Sequence, residues 1–210
     1  MRPVDPGPWP LDGQGERKSF HPYNKAKADL LTRLGAYCSY CECTGHLHVE
    51  HVVPKSCRDD LKEDWNNFLL GCPNCNSIKL NKNCSREGYL WPDRDDTLSA
   101  FEYLPEGRVR VRPALPEADR GRAERLFELV GLGRRPRDDP RASDLRWLRR
   151  RRAWRKALYA RERAQEPSEI DLVILLAEET GFWSVWMTVF ADNSEVSARL
   201  RAAFPGTRPV

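Results

Sequence analysis

Apolar positions along this chain follow two rhythms, and each predicts a different kind of element. Ala26, Leu30, Leu31 and Leu34 recur at helical spacing, which predicts a helix over 25–34 with Gly35 as its stop. Leu126, Phe127, Leu129 and Val130 predict an amphipathic helix over 123–132. Between these lie shorter runs of strand character. The stretch 47–53 reads as a strand and half of a hairpin. Residues 101–104 and 109–111 read as a complete hairpin turning at Pro105-Glu106-Gly107. The segment 73–80 predicts a short helix that starts just after a cysteine. Beyond a Pro-, Arg- and Asp-rich break at 134–140, the best candidate domain boundary, helical spacing dominates. It runs over 143–166, with Leu145, Trp147, Leu148, Trp154, Leu158 and Tyr159 available for a buried side. A second helix opens at Ser168, with Asp171 as the other half of a capping-box-like start, and 182–190 and 195–204 complete the region. The pattern is that of an α+β protein in three parts: an extended, Pro- and Gly-rich arm at 1–24, a domain at 25–132 that includes the hairpin and following helix, and a helical region at 141–210.

Composition narrows the function classes. At 210 residues there is room for one domain, or for a small domain with a sizeable extension. Hydrophobic residues at 40% and charged ones at 31% fit a globular protein. No run of about 18 apolar residues occurs, so no membrane-spanning helix is expected, and the charged start and apolar run of a secretory leader are not evident. A net charge of +4 is mild, so attraction to nucleic acid would need clustered basicity, and seven basic residues do fall between Arg146 and Lys156. The run Arg149 to Arg152 covers all sides of a helix. It is either a solvated or acid-paired face or a surface that tracks phosphates. Trp147 and Trp154 share one helical stripe and read as core. Seven cysteines with no leader favour reduced thiols and metal binding over a disulfide framework, and with them a cytoplasmic location.

The densest chemistry lies between Tyr37 and Lys79. Cys38-x-x-Cys41 and Cys72-x-x-Cys75 are each spaced to put two thiolates on one metal, and together they make a closed tetrahedral zinc site. Thirty residues lie between Cys41 and Cys72, longer than a compact ribbon needs, which suggests a functional insertion. Cys43, His46 and His48 are close enough to serve as alternative ligands. Cys43, Cys57 and Cys84 are otherwise expected as ordinary thiols. The insertion holds Val49-Glu50-His51 and Trp65-Asn66-Asn67, and the second knuckle runs on as Asn76-x-x-Lys79. Phosphodiester hydrolysis needs an activated water and positive charge on the phosphate and leaving oxygen. Histidine is the natural base near neutral pH, and a neighbouring carboxylate is a hard oxygen ligand for Mg²⁺. Asn76 would be fixed by the metal-bound Cys75 before it, and Lys79, one turn on, would reach the same phosphate. Strand neighbours point to opposite sides, so a bend or bulge is expected to bring Glu50 and His51 together.

This order of residues resembles the zinc-bearing branch of the HNH endonucleases, whose ββα-metal fold carries Cys-x-x-Cys, an acid–His dyad, Trp-x-Asn-Leu and Cys-x-x-Cys-His/Asn-x-x-Lys. Cys38, Cys41, Glu50, His51, Trp65, Asn67, Cys72, Cys75, Asn76 and Lys79 match that pattern, while Phe68 replaces the leucine and Asn76 stands at the His/Asn position. The resemblance implies a ββα-metal HNH core stabilised by a four-cysteine zinc site, with a mainly helical C-terminal part. It implies structural Zn²⁺ on the four cysteines and catalytic Mg²⁺ or Mn²⁺ on Glu50 and Asn76. His51 would be the general base, Asn67 would hold the loop that orients it, and Lys79 would join the catalytic set. The implied substrate is nucleic acid, DNA foremost, with Lys55, Lys79, Arg149 and Arg152 as candidate phosphate contacts. The layout is similar, more loosely, to the HNH subunits of Septu- and retron-type anti-phage systems, which implies an ATPase partner bound through the helical tail or the arm at 1–24. The rival reading is a non-catalytic, zinc-stabilised module that binds nucleic acid or protein.

Overall fold

α1 (Lys27–Leu34) buries Leu30 and Leu34 and stops at Gly35, after a 3-10 turn over Tyr23–Ala26. The structure, a computed structural model, describes residues 1–135, 144–164 and 166–209, so most of the break placed at 134–140 lies outside the described residues. β1 (His48–His51) pairs antiparallel with β2 (Phe68–Gly71) in an unbroken register that sets Glu50 opposite Leu69 and His51 opposite Phe68. α2 (Pro73–Lys79) follows β2 at once, with Cys72 as its N-cap and proline in its first turn. After α3 (Thr97–Ala100), β3 (Phe101–Tyr103) and β4 (Val109–Val111) form the expected second hairpin. α4 (Glu117–Leu129) begins earlier than its apolar spacing indicates because its first turn is acidic, where the helix dipole favours Glu117 and Asp119.

The C-terminal part is helical, as read: α5 (Arg146–Arg161), α6 (Pro167–Thr180), α7 (Trp183–Val189) and α8 (Ser194–Ala203). The capping box of α6 belongs to Glu166 and Glu169, not to Ser168 and Asp171. Pro167 suits the first turn of a helix and so sets the cap one residue earlier. No helix among the described residues is long and apolar enough to cross a membrane.

Two apolar clusters meet at α5. One gathers Tyr40, Trp65, Phe68, Trp91 and Leu126, and the other Val173, Trp183, Trp186 and Leu200. Trp154 packs against both. α5 seats on the turn between β3 and β4 through Gly107 (φ 75), where a Cβ would lie 2.0 Å from the carbonyl oxygen of Trp147. Only glycine lets the helix backbone come so near. Arg150 is buried beneath it and donates to the carbonyls of Gly107 (3.0 Å) and Leu132 (2.9 Å).

The segment 1–24 is not the exposed arm its composition suggests. Met1, Arg2, Val4 and Phe20 are buried. Arg2 donates to the carbonyls of Leu34 (2.6 Å) and Pro205 (2.8 Å), and Val4 bridges to Thr207. Proline and glycine signal the lack of regular hydrogen bonding, not the lack of packing. The exposed stretch is 11–17.

Glu42, between Cys41 and Cys43, ties these parts together. Its buried carboxyl group accepts from the Arg2 amide (2.6 Å), the Ser184 amide (2.8 Å) and hydroxyl (2.6 Å), and the Tyr103 hydroxyl (3.4 Å). Glu42→Ala leaves those buried donors without an acceptor and should cost about 3–5 kcal/mol in denaturant unfolding. Ser184→Ala should cost nearer about 1 kcal/mol.

Candidate active site and metal centre

Cys38 and Cys41 sit in the turn before β1, and Cys72 and Cys75 frame the start of α2. The hairpin brings the two pairs together, and the four sulfurs lie within 4.8 Å of one another, all buried. Four thiolates at about 2.3 Å from one zinc stand about 3.8 Å apart. The Cys41–Cys72 separation of 3.6 Å fits that geometry. Donors converge on the sulfurs. The Cys72 amide lies 3.3 Å from Cys38 Sγ, the Cys75 amide 3.4 Å from Cys72 Sγ, and Arg146 Nη1 3.0 Å from Cys75 Sγ. A guanidinium can only donate, so Cys75 must accept, as a thiolate metal ligand does. The Arg146 fork is held by Asp144 (2.6 Å) and the carbonyls of Val130 (3.0 Å) and Gly131 (2.8 Å). The four cysteines could hold zinc. Of the alternative ligands, His46 and His48 are exposed and face each other at 4.6 Å, while Cys43 Sγ touches Cys41 Sγ at 3.3 Å from outside the four.

Beside this cluster, Glu50, His51 and Asn76 line one cavity of about 460 Å³, together with Tyr23 and Lys55. No bulge is needed, contrary to the strand argument. The cavity opens where β1 meets the loop around Lys55 and the end of α2, so it is bounded by both neighbours. His51 Nε2 lies 2.9 Å from the Lys62 carbonyl oxygen. A carbonyl only accepts, so Nε2 carries the hydrogen and Nδ1 keeps its lone pair. Burial lowers the pKa of the ring below the usual histidine value and so favours the neutral form, while the hydrogen bond to the Lys62 carbonyl pulls the other way. The ring is wedged edge-on between Tyr23 (4.6 Å) and Phe68 (5.3 Å).

Asn67 sets the loop that presents Lys62. Its side chain accepts from the Val53 amide (2.8 Å) and donates to the carbonyls of Val53 (2.9 Å) and Leu61 (3.2 Å). Glu50 is buried and its two oxygens are engaged separately, one by Lys79 Nζ (2.7 Å) and one by the Tyr40 hydroxyl (2.5 Å). Burial pushes its carboxyl above the usual range, and Lys79 and Tyr40 oppose that shift. A Cβ on Gly71 would fall 2.9 Å from Glu50 Cγ, so glycine at this position leaves the passage the glutamate side chain needs. The Asn76 side chain makes no hydrogen bond among the described residues and is half-buried at the cavity wall.

Residues 38–82 match the HNH endonuclease family. The chain thus carries an HNH endonuclease domain in its first half, which points to nuclease chemistry on nucleic acid. Comparison with curated proteins gives no match. Within the HNH segment one expectation fails. Lys79 is buried and bonded to Glu50 and to the His51 carbonyl (2.8 Å), so its ammonium is not presented to a phosphate. Two of its three donors are used in holding β1 against α2. Lys55 does reach the cavity, with Nζ 4.5 Å from the Tyr23 ring centre. Arg149 and Arg152 lie away from it, on the exposed side of α5. Sequence reasoning missed Tyr23, which carries no local signal, and Tyr40, whose place inside the first knuckle could have marked it.

Cys57 and Cys84, expected as ordinary thiols, form a disulfide, while the other five cysteines are unpaired. Asn83 donates to the Val52 carbonyl (2.8 Å), which draws the segment after α2 against the loop that holds Cys57. The purified chain should carry one zinc per molecule, lost in Cys72→Ser. Replacing the buried pair as a unit, Asp144→Asn with Arg146→Met, should weaken zinc binding by about 10–100-fold in competition with a chromophoric chelator.

Proposed function

We propose that this protein is a metal-dependent HNH endonuclease that hydrolyses phosphodiester bonds in nucleic acid. The observation that carries the reading is the convergence of Glu50, His51 and Asn76 on one cavity, with His51 tethered through Nε2 so that Nδ1 is free. In this reading His51 Nδ1 takes the proton of the attacking water. Glu50 and Asn76 would hold Mg²⁺ or Mn²⁺, which would supply positive charge to the phosphate and the leaving 3′ oxygen. The products carry 5′-phosphate and 3′-hydroxyl ends. Asn67 acts through the loop it clasps, and Lys79 acts through Glu50, whose direction it sets. Both are positioning residues, and Lys55 is the phosphate contact at the rim. Cys38, Cys41, Cys72 and Cys75 would hold zinc in a structural role, with no protein ligand left over for substrate.

The finer reading rests on narrower support. DNA as substrate follows from the resemblance of the HNH segment alone. A part in anti-phage defence beside an ATPase follows from the layout, an HNH segment, then the β3–β4 hairpin, then helices. The exposed Leu172 and Leu175 of α6 offer such a partner an apolar surface. A nucleic-acid substrate and five unpaired cysteines suit the cytoplasm, while the Cys57–Cys84 disulfide is the one feature that runs against it.

Plasmid DNA incubated with the protein and Mg²⁺ or Mn²⁺ should be nicked or linearised. His51→Ala should slow cleavage by about 10²–10⁴-fold while leaving the zinc content unchanged. Cleavage at full rate in His51→Ala would contradict the mechanism. No cleavage by the unaltered chain with either ion would favour the binding module.

A further inference from the structure

α5 carries eight basic residues and no acidic one over Arg146–Arg161. Three of the eight are engaged within the chain. Arg146 is held by Asp144, Arg150 by backbone carbonyls, and Arg161 by Asp192 at 2.5 Å. The other five, Arg149, Arg151, Arg152, Arg155 and Lys156, are exposed, and none has a carboxylate partner among the described residues. Arg149 donates to the Thr44 carbonyl (3.3 Å) and Lys156 to the Thr180 hydroxyl (3.3 Å), which position the two cations without neutralising them. Like charges three and four residues apart on a helix repel. A helix that keeps five of them unpaired gains from a polyanion laid along it.

The placement of these cations gives the polyanion a direction. Arg149, Arg152 and Lys156 fall at i, i+3 and i+7, one stripe about 10 Å long at the α-helical rise. One end of the stripe lies beside the HNH segment. Arg149 bounds a cavity of about 270 Å³ with His46, Pro73 and Asn74. Asn74 sits in the first turn of α2, two residues before Asn76, and the His46 ring meets His48 at the start of β1, the strand of Glu50 and His51. At the other end Arg152, Arg155 and Lys156 bound a second cleft of about 350 Å³ with Tyr159. Basic and hydrogen-bonding groups therefore run from the cysteine-cluster side of the HNH segment, at His46 and Asn74, along the outer side of α5.

We propose that this face of α5 is a track for the sugar-phosphate backbone of nucleic acid, binding the substrate outside the scissile step. The placement of the track rests on the nuclease reading; its capacity to bind does not. Arginine forks suit phosphate oxygens, and a row of cations without an apolar centre suits a uniform polyanion better than a folded acidic protein. Of the exposed leucines of the region, Leu172 and Leu175 belong to α6, Leu158 lies on another side of α5, and Leu145 stands at the N-terminal end of the stripe rather than within the row of cations.

The test is equilibrium binding of a labelled DNA duplex to the full chain, by fluorescence anisotropy across a salt series with Ca²⁺ in place of Mg²⁺. It compares the unaltered protein with Arg149→Gln/Arg152→Gln/Lys156→Gln. Glutamine is a comparable helix former, and circular dichroism and zinc content verify the fold of the variant. Each lost phosphate contact removes about 0.9 from the slope of log affinity against log salt, so the triple variant should lose roughly 2–3 from that slope. An unchanged slope and affinity would overturn the proposal. So would binding of a polyglutamate of matched charge as tightly as the duplex, which would assign the face to an acidic protein. Cleavage is scored separately. A chain that binds through α5 but never cleaves sinks the nuclease reading and leaves this one standing.

Discussion

Four cysteine sulfurs gathered within 4.8 Å are the constraint on which the rest of the arrangement depends. One pair comes from the turn before β1 and the other straddles the step from β2 into α2. Their gathering sets hairpin against helix, and with it the approach of Asn76 to Glu50; a metal held there would lock that angle. The same cluster reaches outward in two directions. Glu42, immediately after the first knuckle, gathers donors from the N-terminal segment, the second hairpin and α7. Arg146 of α5 places its guanidinium on Cys75. The C-terminal helices are thus anchored to the cysteine cluster itself rather than resting on the outside of an independent domain.

Around that frame the charged groups divide by burial. Glu50 is enclosed, and a lone carboxylate there would be costly to ionise. Lys79 and Tyr40 compensate by engaging one oxygen each, which also leaves lone pairs on both for a cation in the cavity. His51 solves a different problem. Its ring is held by a carbonyl on one nitrogen and two aromatic edges, so it keeps one tautomer and one direction while staying neutral. Both devices depend on loops, and the loop around Lys62 is in turn clasped by Asn67.

Local periodicity carried most of the element list. The knuckles, β1, the second hairpin, α2 and the helical C-terminal part are legible because each is written in residues close in sequence. The HNH pattern is legible because its residues occur in a fixed order, whereas β2, the partner of β1, carries no strand signal of its own. What escaped is long-range. Lys79 was placed on the right helix and the right face, yet helix geometry cannot say that a buried carboxylate waits there. The burial of Met1 and Arg2, the pairing of Cys57 with Cys84 and the role of Glu42 all join residues far apart, where no spacing rule operates. The shift of the α6 cap to Glu166 was missed because glutamate is an uncommon cap and Ser168 is a better one in isolation. The split of the arginine run, with Arg146 and Arg150 inward and the rest outward, required knowing what α5 packs against.

The central claim is that one metal holds the fold on sulfur while a second, different one does chemistry on oxygen a short way off. Anomalous diffraction from crystals soaked in Mn²⁺, recorded at the zinc and manganese edges, tests it most directly. The account predicts a zinc peak about 2.3 Å from all four sulfurs of Cys38, Cys41, Cys72 and Cys75. It predicts a separate manganese peak in the cavity against Glu50 and Asn76. Manganese found elsewhere, or a cavity without it at saturating concentration, would contradict the account.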